Sequence, residues 1–479
     1  MLDLVVSQGR VVLSDGIVGS VDVGIADGRV AVITAAGTLS GAARTIDARG
    51  HYVLPGLIDP HTHPGNWRPF EDDIRSTGRS AAAGGITTLF ATVKSARLGG
   101  PFSEDALPAD VGSFIETFAG VPEMIERSSP VDIGLSFMIM TDAQAEEVER
   151  YASDLGVRSF KLHPSTSLGP WHRRIGFPIA ADDGTVFLAV EGIARSRSLA
   201  MVHAENGQLA RPLKHRLERS QHNDLVAWAE GTPDFGEAAE IEFVAHLCRV
   251  VDCPLYVAHV SSKRAIDAIR EARALGTEII AETGPQWLLH TAEEDPENLL
   301  LKYLPPVRHA EDRDALWEAV ASGEIQCLGS DHVPNWLGAK RGKGFWSAVV
   351  GGAGTETMLS VLMHEGVHRR GIPITRVAEL MSTGPARAFG VYPRKGCLSP
   401  GADGDLTIVD PDLERVVRIS ELESRGETDW SPLEGRTLRG WPVATIRRGE
   451  LIARDGATIT ERGGTYLSRS AAANVGHHV

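Results

Sequence analysis

Cysteine is scarce in this chain: 479 residues hold four, Cys248, Cys253, Cys327 and Cys397, with no Cys-x-x-Cys spacing among them. So few thiols exclude a disulfide-stapled scaffold and suit reduced cysteines in a cytoplasmic setting. A basic excess is missing as well. Lysine and arginine total 48 against 63 acids, a net charge of −15, which argues against a nucleic-acid footprint or binding to an anionic membrane surface and mainly promotes solubility. No apolar run approaches the roughly 20 residues of a membrane span, and Met1-Leu2-Asp3 lacks the basic start of a signal peptide, so a soluble protein is expected. No fixed period repeats along the chain, which excludes a solenoid.

What is present begins with Leu57-Ile58-Asp59-Pro60-His61-Thr62-His63-Pro64, an apolar strand running into two histidines one residue apart. Alternate side chains of a strand point the same way, so His61 and His63 can face one point while Thr62 turns aside. Neutral imidazoles so placed favour a zinc-like ion. Taken alone, His-Thr-His is equally a pair of loop histidines at the surface.

The rest of the chain bears on that choice. Its length suits a barrel of roughly 250 residues or more with a smaller companion domain. From Leu2 to Val53, short β-rich runs are punctuated by Asp15-Gly16 and Asp27-Gly28, and similar punctuation returns at Asp455-Gly456 after the β-rich runs 402–409 and 446–452. Such dipeptides supply the positive φ of tight hairpins. Between the two ends, strand-like runs alternate with amphipathic stretches such as Asp142 to Leu155, capped by Thr141 or Asp142, the pattern of repeated β-α units. The expected fold is α/β: a (β/α)8 TIM barrel over residues 54–386, with a small β-sandwich domain built from residues 1–53 and 387–479.

The strand candidates are Val53 to His61, Ile86 to Phe90, Leu135 to Met140, Ser159 to Leu162, Leu199 to His203, Leu255 to His259, Glu278 to Thr283 and Cys327 to Asp331. A barrel of eight such units carries its chemistry at the C-terminal strand ends. There lie His61 and His63, Lys161 on strand four, His203 ending strand five, His259 ending strand six and Asp331 ending strand eight. Each has a plainer reading: strand-end histidines bonded to backbone, a snorkelling lysine, a helix-capping aspartate. All of these falling at the same end of five strands point to one metal site.

The ordered segments Gly56-Leu57-Ile58-Asp59-Pro60-His61-Thr62-His63, Gly84-Gly85-Ile86-Thr87-Thr88, Phe160-Lys161, Val202-His203-Ala204-Glu205-Asn206, Ala258-His259-Val260-Ser261, Gly329-Ser330-Asp331-His332 and 396–406 resemble the amidohydrolase superfamily, in particular its cyclic-amide branch of hydantoinases, dihydropyrimidinases, allantoinases and dihydroorotases. The resemblance covers nearly the whole chain. It implies two divalent cations, zinc by type, bridged by Lys161 after carboxylation by carbon dioxide, with His61, His63 and Asp331 on one ion and His203 and His259 on the other. It further implies that Asp331 serves as general base and then general acid while water opens a cyclic amide, and that the protein is a homo-oligomer, dimer or tetramer. Two other readings have sequence counterparts: a non-enzymatic scaffold relative, which would lack ligands that this chain keeps, and a mononuclear deaminase-type member, which would lack Lys161.

Two departures bear on substrate. D-hydantoinases and dihydropyrimidinases resemble one another in a tyrosine five residues after the bridging lysine, where this chain has Thr166. Threonine is too short to reach as a phenol would, so His163 substitutes or the metal alone holds the oxyanion, and uracil-type dihydropyrimidines are expected to be poor substrates. Allantoinase-like and L-hydantoinase-like members also lack that tyrosine, and Glu282-Thr283-Gly284-Pro285-Gln286-Trp287 with Pro305-Pro306-Val307-Arg308 looks closer to them. By position, Thr283 and the Val350-Gly351-Gly352 backbone are the expected contacts to the ring imide. Five of nine tryptophans, Trp67, Trp171, Trp287, Trp336 and Trp346, follow predicted strand ends, where they would wall the mouth or pin loops. An aromatic wall favours 5-substituted hydantoins with an apolar substituent, giving N-carbamoyl amino acids, over allantoin with its polar ureido group.

Overall fold

The computed structural model describes residues 1–13, 16–96, 98–99, 111–164, 181–341 and 344–470. The expected Asp15 turn residue, Thr166, Trp171 and the tail 471–479 lie outside them.

The chain opens with five strands, β1 (Leu4–Leu13), β2 (Gly16–Ala26), β3 (Arg29–Ala35), β4 (Arg44–Asp47) and β5 (Tyr52–Pro55). The next eight form the barrel: β6 (Leu57–Thr62), β7 (Ile86–Val93), β8 (Asp132–Ile139), β9 (Ser159–Leu162), β10 (Leu199–Val202), β11 (Leu255–Val257), β12 (Ile279–Thr283) and β13 (Cys327–Leu328). Four more, β14 (Leu406–Val416), β15 (Thr437–Arg447), β16 (Glu450–Arg454) and β17 (Ala457–Thr458), return to the first sheet. Its order is β17-β16-β15-β14-β5-β1-β2-β3, with β4 beside β1, so both chain ends build one β-domain around Val6, Val23, Val53, Ile408 and Ile446. At Asp27-Gly28 both residues have positive φ, 51° and 73°, as the tight hairpin between β2 and β3 requires.

The barrel strands run in chain order and parallel, β6 through β13. β7 and β8 are buried along their whole length, as expected of parallel strands covered on both faces. Several helices between them show an apolar stripe. Lys263–Ala274, for example, buries Ala265, Ile266, Ala268, Ile269 and Ala272 and is capped by the Ser262 side chain, which accepts from Ala265 N. No helix among the described residues is long and apolar enough to cross a membrane.

Two expectations are corrected. The run Val53 to His61 is not one strand: Tyr52–Pro55 pairs with β1 and β14, and only after Gly56 does the barrel begin. A Cβ at Gly56 would meet Thr87 Oγ1 at 2.4 Å and Asp405 Cβ at 2.6 Å, so glycine is what lets the chain cross from sheet to barrel. The stretch Asp142 to Leu155 is two short helices, Asp142–Glu146 and Val148–Asp154, with Thr141 capping the first.

Barrel and sheet are also tied by charge. Lys395 Nζ lies 2.7 Å from Asp132 Oδ2 at the start of β8, 3.2 Å from Asp403 and 2.5 Å from Asp405, and Arg448 pairs with Asp132 from the other side. The three acids sit close enough to hold a cation, but the Lys395 ammonium already lies among them. Burial alone would push Asp132 up; Lys395 and Arg448 hold it below the usual carboxylate range. Removing one partner of a buried ion pair costs about 3–5 kcal/mol. Lys395→Met is therefore expected to lower the urea unfolding midpoint by a corresponding amount, and an unchanged midpoint would show that the cluster contributes nothing.

Candidate metal centre

The site is assembled where β6 meets the end of β13. Thr62 Oγ1 donates to Phe90 O at 3.1 Å, so its side chain turns away from the centre as strand alternation demands. His61 and His63 project into the mouth. Asp59, buried two residues earlier, accepts from His61 N at 3.2 Å and Ser330 N at 3.1 Å through Oδ1, and from the hydroxyls of Ser330 and Thr355 at 2.5 and 2.8 Å through Oδ2. Strand one is thereby fastened to the residue that precedes Asp331. Asp331 and His259 both adopt left-handed backbone, φ 47° and 41°, a strained state for residues that carry a Cβ and one that clusters at functional sites.

All six residues expected as ligands are buried around one mouth. Ligand atoms of His61, His63 and Asp331 lie within 4.8 Å of one another. His63 Nε2 is 3.1 Å from Asp331 Oδ1 and 3.1 Å from His61 Nε2. Lys161 Nζ reaches His61 Nε2 at 3.1 Å, while His203 Nδ1 and His259 Nε2 stand 2.9 Å apart.

The protonation states suit a cation. Burial, reinforced by the neighbouring Lys161, holds His61 and His259 well below the ordinary imidazole range, and burial lowers His63 too. Neutral rings at His61, His63 and His259 each keep a nitrogen lone pair to give. His259 Nδ1 is buried without a hydrogen-bond partner among the described residues. Burial pushes Asp331 up, but the His63 hydrogen bond and the nearby Lys161 ammonium hold it below the usual carboxylate range. Burial lowers the Lys161 ammonium to about 8. This donor set, four imidazoles, one ionised carboxylate and one lysine, fits divalent metal of the zinc type.

An open cleft adjoins these residues and is walled by Asn66, Trp67, Lys94, Met138, His163, Leu304, Val333, Val350 and Gly351. His163 lies in it with its ring stacked on His203, centroids 4.3 Å apart. The expected imide contacts fare less well. Gly351 lines the cavity, but its N–H donates to Lys302 O and its carbonyl accepts from Lys340 Nζ at 2.7 Å and Asn335 Nδ2 at 3.2 Å. Thr283 spends its hydroxyl on Val260 O at 2.8 Å. Gly352 packs against Trp430 and Tyr303.

The described tryptophans divide between the two expected roles. Trp287 sits in the core with Nε1 bonded to Pro305 O at 3.1 Å, Trp346 packs on Trp228 and Trp336 is exposed. Among the described tryptophans that follow strand ends, Trp67 alone lines the cavity. Indole nitrogens needing a buried acceptor drew Trp287 and Trp346 inward.

Sequence reasoning gave no role to Lys94, one residue past β7, or to Glu282, one residue before the end of β12. The strand-end rule that found the histidines would have found both. Burial pushes Glu282 up to about 7.

The Amidohydrolase family model matches residues 52–452. The chain is 32% identical over 486 residues to an L-hydantoinase of Paenarthrobacter aurescens, covering 98% of each chain, and 34% identical over 473 residues to an allantoinase of Rubrobacter xylanophilus, covering 97% of each. Among solved structures, a dihydropyrimidinase from Brevibacillus agri superposes with a TM-score of 0.86 at 28% identity, covering 98% of this chain and 99% of that one.

Proposed function

The chain belongs to the amidohydrolase family, and from that premise we propose that it is a metal-dependent hydrolase of cyclic amides: a hydantoinase that opens 5-substituted hydantoins to N-carbamoyl amino acids. The observation that carries the reading is the convergence of four imidazoles, Asp331 and Lys161 on one buried mouth at the floor of an open cleft. His61, His63 and Asp331 would hold one cation and His203 and His259 the other, with Lys161, once carboxylated, serving as a shared anionic ligand. A neutral amine is what adds to carbon dioxide, and the lowering of Lys161 to about 8 supports that step.

Two bound zinc-type ions would make water nucleophilic near neutral pH and polarise the scissile carbonyl. The protein's own part is proton transfer and placement. Asp331, held ionised at the mouth, accepts the proton of the attacking water and delivers it to the departing ring nitrogen, so the hydroxyl ends on carbon and the hydrogen on nitrogen. His163, stacked on His203 at the cavity wall, replaces the tyrosine that the chain lacks, while Met138, Leu304, Val333 and Val350 with Trp67 give the ring substituent an apolar seat. The reading carries with it a cytoplasmic location and a homo-oligomer, dimer or tetramer, both drawn from the resemblance.

Allantoinase is the second reading, favoured by the polar corner of Asn66 and Lys94 in the same wall. Burying an aryl or bulky alkyl group against the apolar side is worth about 1.5–3 kcal/mol, so kcat/KM on benzylhydantoin is expected to exceed that on allantoin tenfold or more, with dihydrouracil poorer than hydantoin. Allantoin ahead by tenfold would reverse the assignment. The bridge is tested by Lys161→Ala: metal content falls, turnover drops by on the order of 100-fold or more, and short carboxylic acids restore part of it. Two metals and full rate in that variant would make Lys161 merely structural.

A further inference from the structure

Strand β12 places a second carboxylate, Glu282, beside the centre. Glu282 is fully buried, and one of its oxygens reaches both halves of the site. Oε1 lies 2.8 Å from His61 Nδ1 and accepts the backbone N–H of His259 at 2.9 Å, while Oε2 accepts from the Tyr256 hydroxyl at 2.7 Å. The seat is cut to fit: a Cβ on Gly329 would stand 2.5 Å from Oε2, so only glycine at that position leaves room for the carboxylate.

Resting on the two-ion reading above, we propose that Glu282 is a positioning residue for both metal sites at once, fixing His61 in one and His259 in the other. With an acceptor oxygen 2.8 Å from Nδ1, the His61 proton is drawn to that nitrogen and the Nε2 lone pair is turned to the centre. At His259 the same oxygen holds the backbone in its left-handed turn, φ 41°, and thereby sets where that imidazole starts.

Charge argues the same way. The three groups that touch the carboxylate, an imidazole, an amide and a phenol, are neutral donors, and a buried negative charge without a cation beside it is costly. Lys161, the nearby ammonium, brings no positive charge once it is a carbamate. The cations that offset Glu282 are then the two metal ions, against which Asp331 and the carbamate supply the other negative charges. Outer carboxylates of this kind typically set metal affinity by 10–100-fold.

Glu282→Gln keeps an acceptor for His61 and His259 and removes the charge; Glu282→Leu removes both. The full-length wild type and both variants are stripped of metal, melted, and titrated with Zn2+ against a chromophoric chelator to obtain the two dissociation constants. We expect the metal-free Glu282→Gln protein to melt no lower than metal-free wild type, and its affinity to weaken about 10–100-fold at both sites, with Glu282→Leu keeping fewer than one ion per chain. Affinity within twofold of wild type, with a lowered melting temperature, would make Glu282 a packing residue and overturn the proposal; weakening at one site alone would overturn the double role. A wild type that binds no Zn2+ would remove the two-ion reading itself, and this proposal with it.

Discussion

The carboxylate of Asp59 is the contact on which the site depends. Its four hydrogen bonds come from His61 N, from both the amide and the hydroxyl of Ser330, and from the Thr355 hydroxyl. They join the first barrel strand to the last at the level where His61, His63 and Asp331 emerge. The bonds that close the barrel just beyond it, His63 N to His332 O at 3.0 Å and His332 N to His61 O at 3.4 Å, continue the same seam. Once that seam is fixed, the two histidines and the aspartate have little freedom to separate, and donors far apart in the sequence are held together.

Rigidity is bought at a cost to stability. Four imidazoles, an acid and an amine are held out of water at short range, two of them on left-handed backbone. Groups arranged in this way repel or strand one another unless something satisfies them jointly, and a protein tolerates such an arrangement where binding returns the energy. The stabilising charge pairs are kept elsewhere, in the Lys395 cluster between barrel and sheet, so that the mouth itself is free to serve chemistry.

Much of this was legible in the residues, and the reasons are physical. Barrel strands are short, apolar and followed by polar groups at one end, so strand order and the six converging residues could be read directly. The β-domain was legible from its Asp-Gly turns at both chain ends. What failed was whatever depends on side-chain direction within loops. Nothing in the order of residues says that Trp287 points into the core, that the backbone of Gly351 is already engaged by Lys302, Lys340 and Asn335, or that the run beginning at Val53 changes sheets at Gly56, where close approach to Thr87 and Asp405 decides. Glu282 and Lys94 were missed for a different reason: attention to metal donors passed over charged residues that act through them or beside them.

The central claim is that this mouth opens cyclic amides with two metal ions. Metal-free protein titrated with Zn2+ while the opening of a 5-substituted hydantoin is followed tests it most directly. Activity should start near zero, rise with added metal and break at two equivalents per chain; full activity without metal, or saturation at one equivalent, would contradict the account.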